Sequence, residues 1–322
     1  MLFWIIDEEW PDYEVETAIL KDRYPDCEIR FSKNDYAADL EAFGRKADAI
    51  IAQVYVFIPK EVIERLENCK CIALFGGGFD RVDVTFARTK GISVTNVQGY
   101  CAEDLADYVM AGIYHFGKKL DFYAEGMAQK RWGAQAVNPQ NGDIRRISTN
   151  ILLIIGFGRI GREVAQKAKG LGMEVIAYDP YVSAEKMAEF GVTETAWDEG
   201  MEKADFISVN AKLYEETEGL IKYEDFEKMK SSAYLINTAR GKIIVEEDMI
   251  RAVNEGQIAG AVVDVISNEP PAGNEAIFSC KNIVVTPHVS YISEESYTEL
   301  KRRAATNAVC MLDGGSPGDV VN

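Results

Sequence analysis

The chain has 322 residues, 47% of them hydrophobic, with 35 Lys and Arg against 52 Asp and Glu and a formal charge of −17 at pH 7. Such length and apolar content suffice for two cores, whereas so acidic a balance offers no basic face to nucleic acid or to an anionic membrane. The Met1–Ile6 run meets Asp7, Glu8 and Glu9 at once, no stretch approaches the apolar length of a membrane span, and the six cysteines show no metal-ligand spacing with the two histidines, so a cytoplasmic protein with reduced thiols and no bound metal is predicted.

From the start, short apolar strands alternate with helical patterns. Strands are predicted at Leu2–Ile6, Glu28–Phe31, Ala49–Ala52, Cys71–Phe75 and Ile92–Thr95, and helices near Tyr13–Lys21, from Pro59 to about Leu66, and near Val84–Lys90. Alternation of this kind builds a small parallel α/β layer. Its conspicuous feature is Gly76-Gly-Gly-Phe-Asp80 at a strand's end, where successive N–H groups could line an anion-binding concavity, the plainer alternative being a flexible turn before a helix. A glycine-containing joint, Asn96–Cys101, then enters a long predicted helix from Ala102 to Leu120. Ala102, Leu105, Ala106, Val109, Met110, Ile113 and Phe116 recur there at three-four spacing. His115, within the same helix, reads as a packing or interface residue. Around Trp132–Asp143 the chain turns irregular over a length no minimal connection needs, which predicts an arm reaching a partner subunit.

The stretch Ile151-Leu-Leu-Ile-Ile-Gly-Phe-Gly-Arg-Ile-Gly161 follows, an apolar strand running straight into three glycines at GxGxxG spacing. Gly156 suits a tight turn, Gly158 lets backbone approach a pyrophosphate, and Gly161 allows the next helix to pack closely on the strand. That helix, from Arg159 through Ile160 to about Leu171, would aim its N-terminal N–H groups at phosphates. A strand at Met173–Tyr178 ends at Asp179, which lies 179 − 161 = 18 residues past the last glycine, close to the ~20 expected for a carboxylate that accepts from an adenosine ribose. A carboxylate there favours NAD over NADP, whose extra phosphate it would repel. Further strands at Phe206–Val209, Ala233–Asn237, Ala261–Val265 and Ile283–Thr286, with helices at Ala184–Phe190 and Glu246–Asn254, complete one doubly wound sheet over residues 99–290. A last helix, about Glu294–Met311, would return to the first domain, which then comprises 1–98 plus 291–322.

Three polar residues fall just past predicted strand ends, at the sheet edge where open α/β folds bind ligands. They are Arg240 in Asn237-Thr-Ala-Arg-Gly241, Glu269 in Asp264-Val-Ile-Ser-Asn-Glu-Pro270, and His288 in Thr286-Pro-His-Val-Ser290. Hydride transfer to a carbonyl beside a carboxylate needs a planar cation to hold the oxygens, which arginine supplies. It also needs a proton for the developing alkoxide, which an imidazole can give, and a nearby carboxylate favours the protonated ring.

Together these motifs resemble the D-2-hydroxyacid dehydrogenase family, in order and over essentially the whole chain: Gly76–Asp83, Gly156–Gly161 with Asp179, Asn237–Gly241, Asp264–Pro270 and Thr286–His288. The resemblance implies two doubly wound parallel-sheet α/β domains of Rossmann or flavodoxin-like kind with a cleft between them, NAD in the second, and reduction of a 2-oxo acid to the D-hydroxy acid. It implies that Arg240 orients substrate, His288 is the acid/base and Glu269 supports it. Gly77 and Gly78 would hold the carboxylate, while Arg159, Ile160, Thr238, Ala239 and Asp264 would lie on the cofactor side, Asp264 at the nicotinamide amide. Tyr100 falls where D-lactate dehydrogenase-like members carry a substrate-side tyrosine, and a homodimer through the nucleotide domain is implied.

Departures bear on the substrate. Gln53 stands where phosphoglycerate dehydrogenases carry a phosphate-binding arginine, so it reads as a substrate-side residue that disfavours 3-phosphoglycerate. The usual histidine-containing segment is here Asn210-Ala-Lys-Leu-Tyr214. Ala106-Asp107 and Tyr291 resemble the C-terminal-binding-protein branch, so an NADH-sensing interaction protein is one alternative, and a phosphite-type dehydrogenase on the same fold is another. Tyr55, Tyr100 and Tyr291 point to a medium-sized apolar or aromatic 2-oxo acid.

Overall fold

Alternation of short apolar strands with helices gives, in the computed structural model, two wholly parallel sheets; residues 1–133 and 144–322 are described. One belongs to a unit made of Met1–Tyr100 and Ile292–Asn322, the other to a unit made of Cys101–Tyr291.

The first unit contains β1 (Leu2–Ile6), β2 (Glu28–Ser32), β3 (Ala49–Gln53), β4 (Cys71–Phe75) and β5 (Ser93–Thr95), in the order β2-β1-β3-β4-β5. Strand order reverses between β1 and β3, and such a reversal leaves a crevice at the carboxyl ends. Every residue of β3 and β4 is buried, the condition that makes their sequences continuously apolar rather than alternating. Trp4, Ile6, Ile50, Ala52, Ile72 and Leu74 share one core, and the helix Glu294–Leu312 lies against β3 and β4. Its Lys301, 2% exposed, donates to the carbonyl and carboxylate of Asp12 at 2.8 and 2.9 Å.

The second unit contains β6 (Ile151–Ile155), β7 (Glu174–Tyr178), β8 (Thr193–Glu194), β9 (Phe206–Val209), β10 (Tyr234–Asn237), β11 (Gly260–Val263) and β12 (Ile283–Val285), ordered β12-β11-β10-β9-β6-β7-β8. Its reversal falls between β6 and β9. Leu153, Ile155, Ile207 and Val209 enter one core while Leu152, Ile154, Phe206 and Ile236 enter another, so the two-residue period of each strand feeds both faces.

Some expectations need correction. The helix predicted to run to Leu120 spans Ala102–Lys118; Lys119 takes a left-handed conformation (φ 50°) and a second helix, Leu120–Ala128, begins. Ala106, Val109, Met110 and Ile113 of the longer helix pack into the unit's own core. The helix expected from Pro59 is one turn, Lys60–Ile63. Helices Ala37–Ala42, Trp197–Lys203 and Tyr223–Phe226 and strand β8 were not predicted, each being too short to display a period. Of the irregular stretch 132–143, residues 134–143 lie outside the described residues. Among the described residues, no helix is long and apolar enough to cross a membrane, and no group of His, Cys, Asp and Glu is placed to hold a metal ion.

Candidate active site

The glycine loop joins β6 to the helix Arg159–Gly170, at the reversal between β6 and β9. At Gly156 (φ +91°) a Cβ would come within 2.7 Å of the Ala211 nitrogen, and at Gly161 within 2.2 Å of the Gly156 carbonyl oxygen, so close backbone approach demands glycine at both. Gly158 is different: its φ of −75° suits any residue, and a Cβ there would meet nothing within 4 Å. Neither conformation nor internal crowding explains that glycine. What its bare backbone leaves is a concavity at a helix N-terminus, where amides and the helix dipole favour an anion. Arg159 and Ile160 open the helix beside it.

Asp179, past the end of β7, accepts from the Phe157 N–H at 2.8 Å and from the Tyr181 N–H at 2.9 Å, tying the second strand of the unit to the glycine loop. Several buried polar side-chain atoms make no hydrogen bond among the described residues, and two of them stand at strand ends of this sheet: Asn210 Oδ1, just past β9, and Thr238 Oγ1, just past β10. Buried polar atoms are ordinarily satisfied, so orphaned ones beside the glycine loop fit a bound polar group. Loop, carboxylate and orphaned atoms together match what a dinucleotide needs.

Farther along the same edge, Asn237, 1% exposed, folds the next turn: its Oδ1 accepts from Ala239 N–H at 3.0 Å and its Nδ2 donates to the Arg240 carbonyl at 3.0 Å. Arg240 donates from Nη1 to the Ala239 carbonyl at 2.8 Å. At Gly241 a Cβ would stand 2.0 Å from the Ile266 carbonyl carbon, so glycine lets the arginine turn press against the loop that carries Glu269. Glu269 accepts from Ile266 N–H at 3.1 Å through Oε1 and faces His288 Nδ1 at 3.1 Å through Oε2. Burial pushes the Glu269 carboxyl up, but the hydrogen bond and charge of His288, the Ile266 amide and the charge of Arg240 outweigh it and hold the group below its ordinary value. Arg240, Glu269 and His288, spread over 49 residues, thus come together electrostatically.

His288 sits at φ +54°, a left-handed conformation costing a non-glycine residue about 1–3 kcal/mol. Asp264 compensates. Its carbonyl accepts the His288 N–H at 2.8 Å, and its carboxylate accepts from Thr286 Oγ1 at 2.6 Å, Val289 N–H at 2.8 Å and Ser290 N–H at 2.8 Å. Asp264 is 1% exposed, and these three donors take three of its roughly four acceptor sites. Sequence reasoning gave Asp264 only a cofactor contact and gave Thr286 and Asn237 no role; a polar residue adjoining each motif was the available signal.

In the first unit, Gly76 and Gly77 turn their carbonyls to Val97 N–H (2.8 Å) and Asn96 Nδ2 (2.7 Å), holding the Gly76–Asp80 loop and its Gly78 on the strand ends. Gln53, expected on the substrate side, is 2% exposed and its amide is engaged, accepting from Trp10 Nε1 at 3.0 Å and donating to the Phe75 carbonyl at 3.1 Å. Two bonds to buried partners fix its side chain at the end of β3. Tyr100 accepts Ser296 Oγ on its carbonyl at 3.0 Å and ends the first segment of that unit; Tyr291 ends the second unit.

Comparison with known proteins bears on the family of the chain. The family described as "D-isomer specific 2-hydroxyacid dehydrogenase, NAD binding domain" matches residues 110–290. The chain is 32% identical over 287 residues to a hydroxypyruvate reductase of Blautia hydrogenotrophica, covering 88% of each protein, and 31% identical over 278 residues to a glyoxylate reductase of Korarchaeum cryptofilum, covering 86% of this chain and 83% of that one. It is also similar to the crystal structure of D-lactate dehydrogenase from Aquifex aeolicus complexed with NAD and lactic acid, at a TM-score of 0.86, 25% identity, and coverage of 98% of this chain and 96% of that one. With its glycine loop, its Asp179 and these relatives, the chain belongs to the D-isomer specific 2-hydroxyacid dehydrogenase family, and its second unit is that family's NAD-binding domain.

Proposed function

We propose that the protein reduces a 2-oxo acid to the D-2-hydroxy acid with NADH, and that Arg240, Glu269 and His288 are its catalytic residues. The observation that carries this is the His288 Nδ1 to Glu269 Oε2 contact of 3.1 Å, beside an arginine whose charge reaches the same carboxylate. Bound NADH supplies the hydride to the oxo carbon. Arg240 presents its fork to the substrate's carbonyl and carboxylate oxygens, fixing the carbon's orientation and drawing electron density onto the carbonyl oxygen. As that oxygen becomes an alkoxide, His288 gives it a proton. With Nδ1 turned to Glu269, the transferred proton leaves from Nε2, and Glu269 as carboxylate stabilises the imidazolium beforehand. The Gly77 and Gly78 amides of the first unit are suited to an anionic carboxylate. Asp179, with two backbone donors already bound, has acceptor sites left for a ribose hydroxyl. Thr238, Ala239 and the remaining acceptor site of Asp264 complete the cofactor side.

For the substrate, Tyr55, Tyr100 and Tyr291 support a medium-sized apolar or aromatic side chain. The relatives named for hydroxypyruvate and glyoxylate put smaller oxo acids in the same trial. NADH consumption with glyoxylate, pyruvate, hydroxypyruvate, 4-methyl-2-oxovalerate and phenylpyruvate, followed by chiral analysis of the product, tests the whole reading; inactivity with all five in folded protein sinks it. We extend the proposal to a homodimer, supported by the exposure of Leu120 (61%), Met127 (49%) and Trp132 (78%) in the second unit. A monomer by light scattering at micromolar concentration refutes that part.

A further inference from the structure

We propose that Tyr108, on the helix Ala102–Lys118, is a positioning residue for His288, acting through a directed chain of hydrogen bonds that runs Tyr108, Thr286, Asp264 and then the backbone N–H groups of His288, Val289 and Ser290. The inference rests on the reading of His288 as proton donor and adds to it the device that holds the ring in place.

Counting protons fixes the direction of the chain. The Asp264 carboxylate can only accept, so the single hydroxyl proton of Thr286 goes to Asp264 Oδ1, at 2.6 Å. Thr286 Oγ1 therefore has no proton to give Tyr108, with which it also makes a short contact, and the Tyr108 hydroxyl must be the donor between them. Burial, offset in part by Thr286 and reinforced by Asp264, pushes the Tyr108 hydroxyl up to about 12, so it keeps its proton throughout the neutral range. The other end of the chain holds a strained segment. Asp264 accepts the N–H groups of Val289 and Ser290 through its carboxylate and that of His288 through its carbonyl, holding the backbone of a residue at φ +54° and of the two residues after it. Thr286 and Tyr108 are 178 positions apart, and Tyr108 lies on the core-facing side of a helix whose Val109, Met110 and Ile113 are buried. A rigid helix thereby becomes the anchor for the loop that carries the acid/base.

A chain containing only two histidines makes the test direct, because a His115→Gln background leaves a single imidazole signal in the proton NMR spectrum, that of His288. The tether predicts that Tyr108→Phe shifts or broadens this signal in protein without substrate, and that kcat falls roughly three- to tenfold, the loss expected for one neutral hydrogen bond, while KM for NADH stays near the wild-type value. Thr286→Val should do the same, Thr286→Ser should restore both readouts because it keeps the hydroxyl, and the Tyr108→Phe/Thr286→Val double variant should be no worse than Thr286→Val alone. An unmoved His288 signal in Tyr108→Phe, or losses in kcat that multiply in the double variant, overturns the proposal. The ring signal needs no turnover: if His288→Gln keeps wild-type activity, the proton-donor role is lost, while the tether is still decided by the spectrum.

Discussion

Replacing Glu269 with Gln keeps the size and shape of the side chain and removes its charge. In the wild type the two partners are shielded, with side-chain exposures of 14% for Glu269 and 18% for His288, so water screens the 3.1 Å contact only in part. A hydrogen bond to a charged group is worth about 1.5–3 kcal/mol, and about 1.4 kcal/mol is a factor of ten in rate, so turnover in the reductive direction should fall roughly ten- to a hundredfold in Glu269→Gln. Because the glutamine oxygen can still accept from Nδ1–H, the ring keeps its orientation and the rate should fall less than at a His288→Gln variant. Initial rates of NADH consumption, with the dissociation constant for NADH as a control, measure the loss in both variants. A Glu269→Gln variant that turns over at the wild-type rate would refute the coupling on which the acid/base assignment depends.

Asp179→Ala should weaken the preference for NADH over NADPH by removing the carboxylate proposed to accept from the ribose, and also loosen the Phe157 amide; an unchanged ratio of the two dissociation constants argues against the assignment. Gly161→Ala places a methyl 2.2 Å from a backbone oxygen that cannot swing aside, so it should cost about 1–3 kcal/mol of stability and weaken NADH binding; a wild-type Tm and affinity would contradict the close-approach argument. Burial pushes the Glu16 carboxyl up to about 7 despite the charge of Lys301. Between the ordinary carboxylate pKa and that value the folded chain holds a proton the unfolded chain has lost, so this group's contribution to stability falls as pH rises through that window and then levels off. Glu16→Gln should accordingly gain in Tm relative to wild type between about pH 5 and pH 8, and a constant difference across that range would show that Glu16 is not the titrating group.

Much of the candidate site was legible because its markers are local. The run Ile151–Ile155, the spacing of Gly156, Gly158 and Gly161, and Asp179 at the end of the following strand each follow from a continuous apolar stretch, a steric need or a count along the chain. Arg240, Glu269 and His288 could be picked out because each lies just past an apolar strand. The partners of Gln53 were not legible: nothing beside it announces that Trp10 and the Phe75 carbonyl take both ends of its amide.

The sequence by itself determined the α/β alternation, the dinucleotide loop and the set of residue types able to do the chemistry, because these depend on neighbours within a turn or a strand. Only the tertiary structure decided that Asp264, buried at a strand end, gathers Thr286, His288, Val289 and Ser290, and that Tyr108 reaches that hub from a helix far away in the chain. Side-chain hydrogen bonds of that kind have no period and no fixed separation. They exist only once parallel strands have brought distant carboxyl ends to a common edge, where burial makes each unsatisfied donor or acceptor costly enough to select its partner.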